Sequence, residues 1–362
     1  MHRLLSFVFL SILTASTSAA DDQRIVTLNN VPDAKRIVAD EPFRKEFSAE
    51  MAARYLDTAS LAWQHSRDCA TCHTNMPYMM ARPALSGALP DSGEVHEFFQ
   101  SYFTERWESG RKAPKKPYAP VVVGTGLVFH DVQTTGKLAP ETRGTLDIMW
   151  KTQRADGGWT IPTCGWAPME VDDHFAVTLA AVTVGIAPDG YAKTEAATAG
   201  LEKVRDYLKA NPPNSLHHRA MIAWASLRVD GLMGEEERAN VLEDVLSIQL
   251  PEGGWSTAGY LADWKEYERK DGKPHDVKTA DAYGTGLALI LSREMGKPAD
   301  DPALKRGVHW LLNNQRGSGK WFSRSPAKDS RHYFTNTGSA YAVLALQACG
   351  ELPGWPFGKE TP

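Results

Sequence analysis

Apolar positions along the chain recur at helical spacing, in segments that come in pairs. In each pair the first segment is amphipathic. The second is apolar on all sides and rich in Gly, Ala, Ser and Thr, as in "DDHFAVTLAAVTVG", "TADAYGTGLALILS" and "TNTGSAYAVLALQACG". An amphipathic helix covers a core, and a helix apolar all round lies inside one. The pattern predicts six hairpins: 45–66 with 76–86, 92–108 with 119–134, 139–153 with 172–186, 194–210 with 215–229, 235–249 with 277–294, and 301–315 with 333–349. Pro188, Pro212, Pro213, Pro251, Pro298 and Pro353 fall outside these segments, as helix interiors require. No alternating strand pattern competes. Six hairpins with small-residue inner helices can close into an all-α, (α/α)6 toroid in a single domain; an open helical solenoid is the alternative.

The turns inside the hairpins repeat a phrase. "LDIMWKTQRADGGW" (146–159), "LEDVLSIQLPEGGW" (242–255) and "GVHWLLNNQRGSGKW" (307–321) each run from a helix to Gln, a Gly-containing turn and Trp. The Gln positions are 153, 249 and 315, and the Trp positions 159, 255 and 321. Glycine ends the helix and turns the chain. The Gln amide is long enough to reach the exposed backbone of a neighbouring helix end, and the Trp can pack on the turn. An earlier stretch, "VVVGTGLVFHDV", shares Gly124-Thr125-Gly126-Leu127 with Gly284 to Leu287, which carries the repeat toward the N-terminus. Residues 256–276 interrupt the pattern with a polar insertion expected to form a lid or rim.

Composition adds limits. With 42% hydrophobic and 23% charged residues and a formal charge of −4, the chain reads as globular, and no basic excess points to nucleic acid. Residues 1–20 read as a signal peptide: a polar or basic start at His2 and Arg3, an apolar run from Leu4 to Leu13, and small residues Ser18-Ala19-Ala20 before Asp21. The expected organisation is then a leader (1–20), an N-terminal extension (21–44), the toroid (45–350) and a tail (351–362). The expected location is periplasmic or secreted, with no transmembrane span in the mature chain.

Export changes how the cysteines read. Cys69-Ala70-Thr71-Cys72-His73 has the spacing for covalent haem c, with two thiols to add to the vinyl groups and an imidazole to ligate iron. A zinc site would need further ligands, usually a second close pair, but Cys164 and Cys349 are single and distant. A thioredoxin-like pair would need a βαβ context that is absent, and chance recurrence is the remaining alternative. The expected cofactor is one haem c, held by Cys69 and Cys72 with His73 as axial ligand. In repeat phase the motif takes the place of the first hairpin's Gln–Gly–Trp turn. The distal ligand is open. Met76, Met79 and Met80 follow closely, with Met76 too near to reach around the ring, and His174, His275 and His332 are candidates from other hairpins. Cys164 and Cys349 could pair in an oxidising compartment.

The Gln-x5-Trp phrases within helical hairpins resemble the QW repeats of the squalene-hopene cyclase and protein prenyltransferase superfamily. The resemblance spans roughly 45–350 and implies an α/α toroid, although the cyclases usually have two such domains and this chain has room for one. "PMEVDDHFA" resembles the cyclase Asp-x-Asp-Asp motif, with Glu170 at the first position and Asp172 matching the proton donor; the competing reading makes Asp172 or Asp173 a helix N-cap. The prenyltransferase zinc ligands are Asp, Cys and His; Asp281 and His332 stand in suggestive places, but no Cys lies near Asp281. Inner-helix N-termini should surround one mouth of the ring, where Glu170, Asp172, Asp173, His174, His275, Asp281, His332 and Tyr333 would gather. Asp172, Asp173, His174 and His332 are the acid–base candidates. The expected activity is a haem oxidoreductase using the toroid cavity for a small apolar substrate. The alternatives are an electron-transfer cytochrome serving a redox partner protein, and a cyclase-like acid catalyst with a structural haem.

Overall fold

The computed structural model describes residues 25–33, 37–104, 117–162, 165–264, 267–330 and 332–357. Within them the chain is all-helical, with isolated β-bridges but no strand. The six hairpins are α1 (Ala49–Arg67) with α2 (Asn75–Ala81), α3 (Glu94–Gln100) with α4 (Ala119–Thr134), α5 (Pro140–Thr152) with α6 (His174–Ile186), α7 (Glu195–Ala210) with α8 (Leu216–Ser226), α9 (Glu235–Ser247) with α10 (Ala282–Glu294), and α11 (Pro302–Asn313) with α12 (Phe334–Ala348). Each inner helix packs on the next, and α12 packs on both α10 and α2, so the ring closes. The solenoid alternative is excluded by that last contact.

The repeated phrase does what its chemistry predicts. Gln153 Nε2 donates to the Gly157 carbonyl inside its own turn and to Gly200 O in α7, both at 3.0 Å. Gln249 bonds Gly253 O (2.7 Å) and Ala303 O (2.8 Å) in α11. Gln315 bonds Gly319 O (3.1 Å) and Ser48 O (2.9 Å), and its Oε1 accepts from Ser48 N at 2.8 Å. Ser48 is the N-cap of α1, so the third copy ties the last hairpin to the first. Trp159, Trp255 and Trp321 are wholly buried, and each indole N–H donates to a carbonyl ten residues earlier: Met149, Val245 and Leu311. Gly319 shows why the turn needs glycine. Its φ is +96°, and a Cβ there would stand 1.9 Å from the Met51 carbonyl oxygen of the next outer helix.

The interior is filled rather than hollow. Tyr283, Tyr341, Phe334 and His217 meet inside the ring, with ring centroids 4.6 Å (Tyr283–Tyr341) and 4.7 Å (Tyr283–Phe334) apart and His217 Nε2 2.8 Å from Tyr283 Oη. At the C-terminal ends of the inner helices the tail folds back. Phe357 packs on Phe129 at 4.9 Å, Arg228 donates to the Phe357 carbonyl, and Gln347 holds the Pro353 and Gly354 carbonyls. Bulky side chains therefore occupy the centre, the tail covers one mouth, and a cavity lies at the other.

The extension is tied down as well, through Leu28 N to Glu94 and through a Glu41–Lys320 ion pair. The insertion 256–276 forms a rim. Arg269, buried, donates to Ser325 O (2.6 Å) and Asp329 Oδ1 (2.8 Å), and Lys270 N donates to Ala327 O. Its Leu261, Trp264 and Tyr267 pack against Ala167. The expected leader, residues 1–20, lies outside the described residues, as does Cys164, so its expected pairing with Cys349 is outside them too. No described helix is long and apolar enough to cross a membrane.

Candidate functional site

Trp63 and Arg67 of α1, the α1–α2 turn, the loop before α6 and the loop before α12 together wall a cavity of about 350 Å³. Cys69, Cys72 and His73 face it, with Trp63, Arg67, Trp166, Ala167, Met169, Glu170, Ser325, Tyr333 and Phe334 completing the lining. The volume is in the range of small-molecule and cofactor sites, and the aromatic walls give the mostly apolar surface such sites have.

The motif is held rigidly. Asp68, in the left-handed region at φ 50°, ends α1, and its N–H returns to Gln64 O. Trp63 Nε1 and Asn75 Nδ2 each donate to the Cys69 carbonyl at 3.1 Å. Thr71 N donates to Asn75 Oδ1 (2.8 Å), His73 N to Thr71 Oγ1 (3.1 Å) and Thr337 Oγ1 to the His73 carbonyl (2.9 Å). Around the His73 ring, Trp63 stands edge-on at 4.7 Å and Tyr333 stacks at 5.4 Å. Nδ1 of His73 hydrogen-bonds Thr74 Oγ1 at 2.7 Å. Asn336 Nδ2 donates to the same hydroxyl (3.1 Å), and Tyr55 Oη donates to Asn336 Oδ1 (2.7 Å). A partner on one ring nitrogen fixes ring orientation and leaves the other for a ligand, as metal-binding histidines require. Burial pushes the His73 pKa down to about 4, so the ring is neutral at pH 7, the form that ligates a metal.

The thiols carry a second message. Cys72 Sγ lies 3.5 Å from Glu170 Oε1, and burial first, then that carboxylate, raise the Cys72 pKa well above the ordinary thiol value. Disulfide exchange and zinc ligation both need a thiolate. With its pKa raised in this way, Cys72 is a neutral thiol at pH 7.

The remaining candidates divide. Glu170 and Tyr333 reach the cavity. Asp172, Asp173, His174, His275, Asp281 and His332 do not line it. Asp281 is the N-cap of α10, accepting from Tyr283 N, Gly284 N, Thr257 N and Thr257 Oγ1. His275 Nε2 contacts Tyr267 O (3.3 Å) on the rim. His332 Nδ1 accepts from Ser325 N (3.2 Å), one residue behind the lining. Asp173 stands at the N-cap position of α6, but its side chain pairs with Arg154 instead of capping, and Asp172 Oδ1 accepts the His174 N–H at 3.0 Å. The N-cap reading holds with the two roles divided: Asp173 takes the cap position and Asp172 accepts the first helical N–H.

Asp172 belongs to a separate cluster. His218 Nε2 is 3.5 Å from Asp172 Oδ1, and the His218 ring stacks on His174 at 4.3 Å. Burial works to raise the Asp172 pKa, but His218, His174 and the His174 amide outweigh it and hold the carboxyl below its usual range. A proton donor needs the opposite shift. The sequence reading does not include His217 and His218, although a His pair behind the Ser215 N-cap marks the fourth inner-helix N-terminus. Met169, Arg67, Trp63 and Trp166 were also missed. Met169 was legible as the neighbour of Glu170 in "PMEVDDH"; the others carried no signal in the repeat.

A solved structure of a polysaccharide lyase superposes on this one with a TM-score of 0.45 and 11% sequence identity, over 83% of this chain and 97% of that chain. No protein-family model matches the chain, and no curated protein matches it.

Proposed function

We propose that the chain is an exported haem c protein of the α/α toroid class, in which the cavity at the ring mouth takes one haem through thioethers at Cys69 and Cys72. The observation that carries this reading is the convergence of both thiols and the His73 imidazole on one aromatic-walled cavity. Bound haem would supply one-electron transfer between ferrous and ferric iron. The residues around it bind, orient and exclude water. His73 would ligate the iron through Nε2, while Thr74 Oγ1 holds Nδ1 and is itself held by Asn336, with Tyr55 behind it. Trp63, Trp166, Tyr333 and Phe334 give the macrocycle apolar contact, and Arg67, exposed at the rim, suits its carboxylates. Met169 places a thioether on the cavity lining and would be a candidate second iron ligand.

A filled ring interior favours electron exchange with a redox partner over turnover of a large apolar substrate. The oxidoreductase reading survives for a small ligand, because Glu170 places a carboxylate on the cavity wall. The turn chemistry supports kinship with the QW-repeat cyclases. The acid-catalyst role does not follow, since Asp172 lies outside the cavity and its carboxyl is held ionised.

The test is a pyridine haemochrome spectrum of the protein matured with a c-haem attachment system. One covalent haem is expected per chain, absent from Cys69→Ala/Cys72→Ala; a wild-type chain without covalent haem would refute the reading. Carbon monoxide titration of the ferrous protein then separates the two roles: no binding fits Met169 ligation and electron transfer, and saturable binding fits the small-ligand oxidoreductase.

A further inference from the structure

Away from the haem cavity, α3 and α4 bring a second group of ligand-type side chains together. His96, His130 and Asp131 each offer a ligand atom within 4.8 Å of the others. The two imidazoles stack with centroids 4.0 Å apart and planes 21° apart. His96 Nε2 and His130 Nδ1 are both buried without a hydrogen-bond partner among the described residues. Two such orphaned nitrogens side by side are costly unless something fills the gap between them. Asp131 is buried, and among the described residues its hydrogen bonds fall on Oδ2, which accepts from Ala139 N (2.8 Å) and Thr142 Oγ1 (2.7 Å), so the second oxygen is the one open to a ligand. Burial lowers the His96 pKa against the opposing pull of Asp131, Asp91, Glu97 and Glu141, which favours the neutral imidazole that ligates a metal.

We propose that His96 Nε2, His130 Nδ1 and the second carboxylate oxygen of Asp131 bind one divalent transition-metal cation of the zinc, nickel and copper class. Two imidazoles with one carboxylate suit these borderline ions rather than calcium or magnesium, and three protein ligands leave room for water. In the stacked pose the lone pairs do not meet, so binding turns the rings apart about their broad Cβ–Cγ torsions. The ion clips the short helix α3 to the C-terminal part of α4. Val122, which lines the recess beside Cys72, is about 12 Å away along α4, so the site stands apart from the haem motif.

Zinc chloride is titrated into EDTA-stripped full-length protein by calorimetry, in a Cys69→Ser/Cys72→Ser background that removes the closely spaced thiol pair. One zinc per chain is expected, with affinity reduced at least ~10-fold in both His96→Phe and His130→Phe, which keep the ring stack. Zinc should also raise the melting temperature of the parent and not of these variants. Should either variant fail to fold, Asp131→Asn serves in its place with the same expected loss. Absence of binding by zinc, nickel and copper, or binding unchanged in the variants, would overturn the proposal.

Discussion

The Thr74 hydroxyl shows how much one side chain does in this protein. It meets His73 Nδ1 and receives the Asn336 amide, so it couples the motif to α12. Thr74→Val keeps the shape but strands a buried amide and frees the imidazole. The expected cost is about 1–3 kcal/mol, read by urea unfolding; a change below measurement error would show that the hydroxyl orients nothing. Arg82 is a contrasting case. It is buried, donates Nε to Asp57 Oδ1 at 2.7 Å and also holds the Leu89 carbonyl. Arg82→Met should cost about 3–5 kcal/mol, because Asp57 is then left buried and unpaired. The Arg82→Met/Asp57→Leu double variant should recover much of that loss in the same unfolding measurement.

Among elements, the repeated turn is the unit that builds the ring. Each Gln spans its own turn and the next outer helix, which converts a local signal into a lateral tie. The three copies are not equal. Gln315 is fully buried and closes the ring, whereas Gln153 and Gln249 are half-buried. Replacing Gln315 by Ala should destabilise by about 1–3 kcal/mol, and Gln153→Ala by less, since water can reach the carbonyls it leaves. Equal losses in parallel denaturation curves would contradict this ranking. The hairpins were legible because helix period and turn chemistry are local properties. Helix α10 starts at Ala282 rather than 277 because the Asp281 carboxylate, reached by Thr257 of the insertion as well as by Tyr283 and Gly284, stops it there. That contact joins residues 24 apart, beyond the reach of periodicity.

For the molecule as a whole, the filled interior sets the response to acid. His217 is buried in the ring and its pKa falls to about 3; His174 falls to about 4, in each case through burial first and then the neighbouring His218. In the unfolded chain both return to about 6.5. The unfolded state therefore binds more protons between about pH 6.5 and pH 4, and stability falls as pH drops through that window. His217→Gln should remove one proton's share of the slope, up to about 1.4 kcal/mol per pH unit. Denaturation midpoints between pH 7 and pH 4 test this, and an unchanged slope in the variant would refute it.

The six hairpins, the Gln–Gly–Trp ties and the place of Cys69-Ala70-Thr71-Cys72-His73 in the first turn are legible along the chain, because each is encoded within a few consecutive residues. What surrounds that turn is set by how the hairpins pack into the ring. Met169 and Glu170 come from the third hairpin and Tyr333 from the sixth; the same packing sends His174 to His218 and keeps it from the cavity. A wall assembled from distant segments has no period to read, and the volume left at the ring mouth depends on how every inner side chain fills the centre.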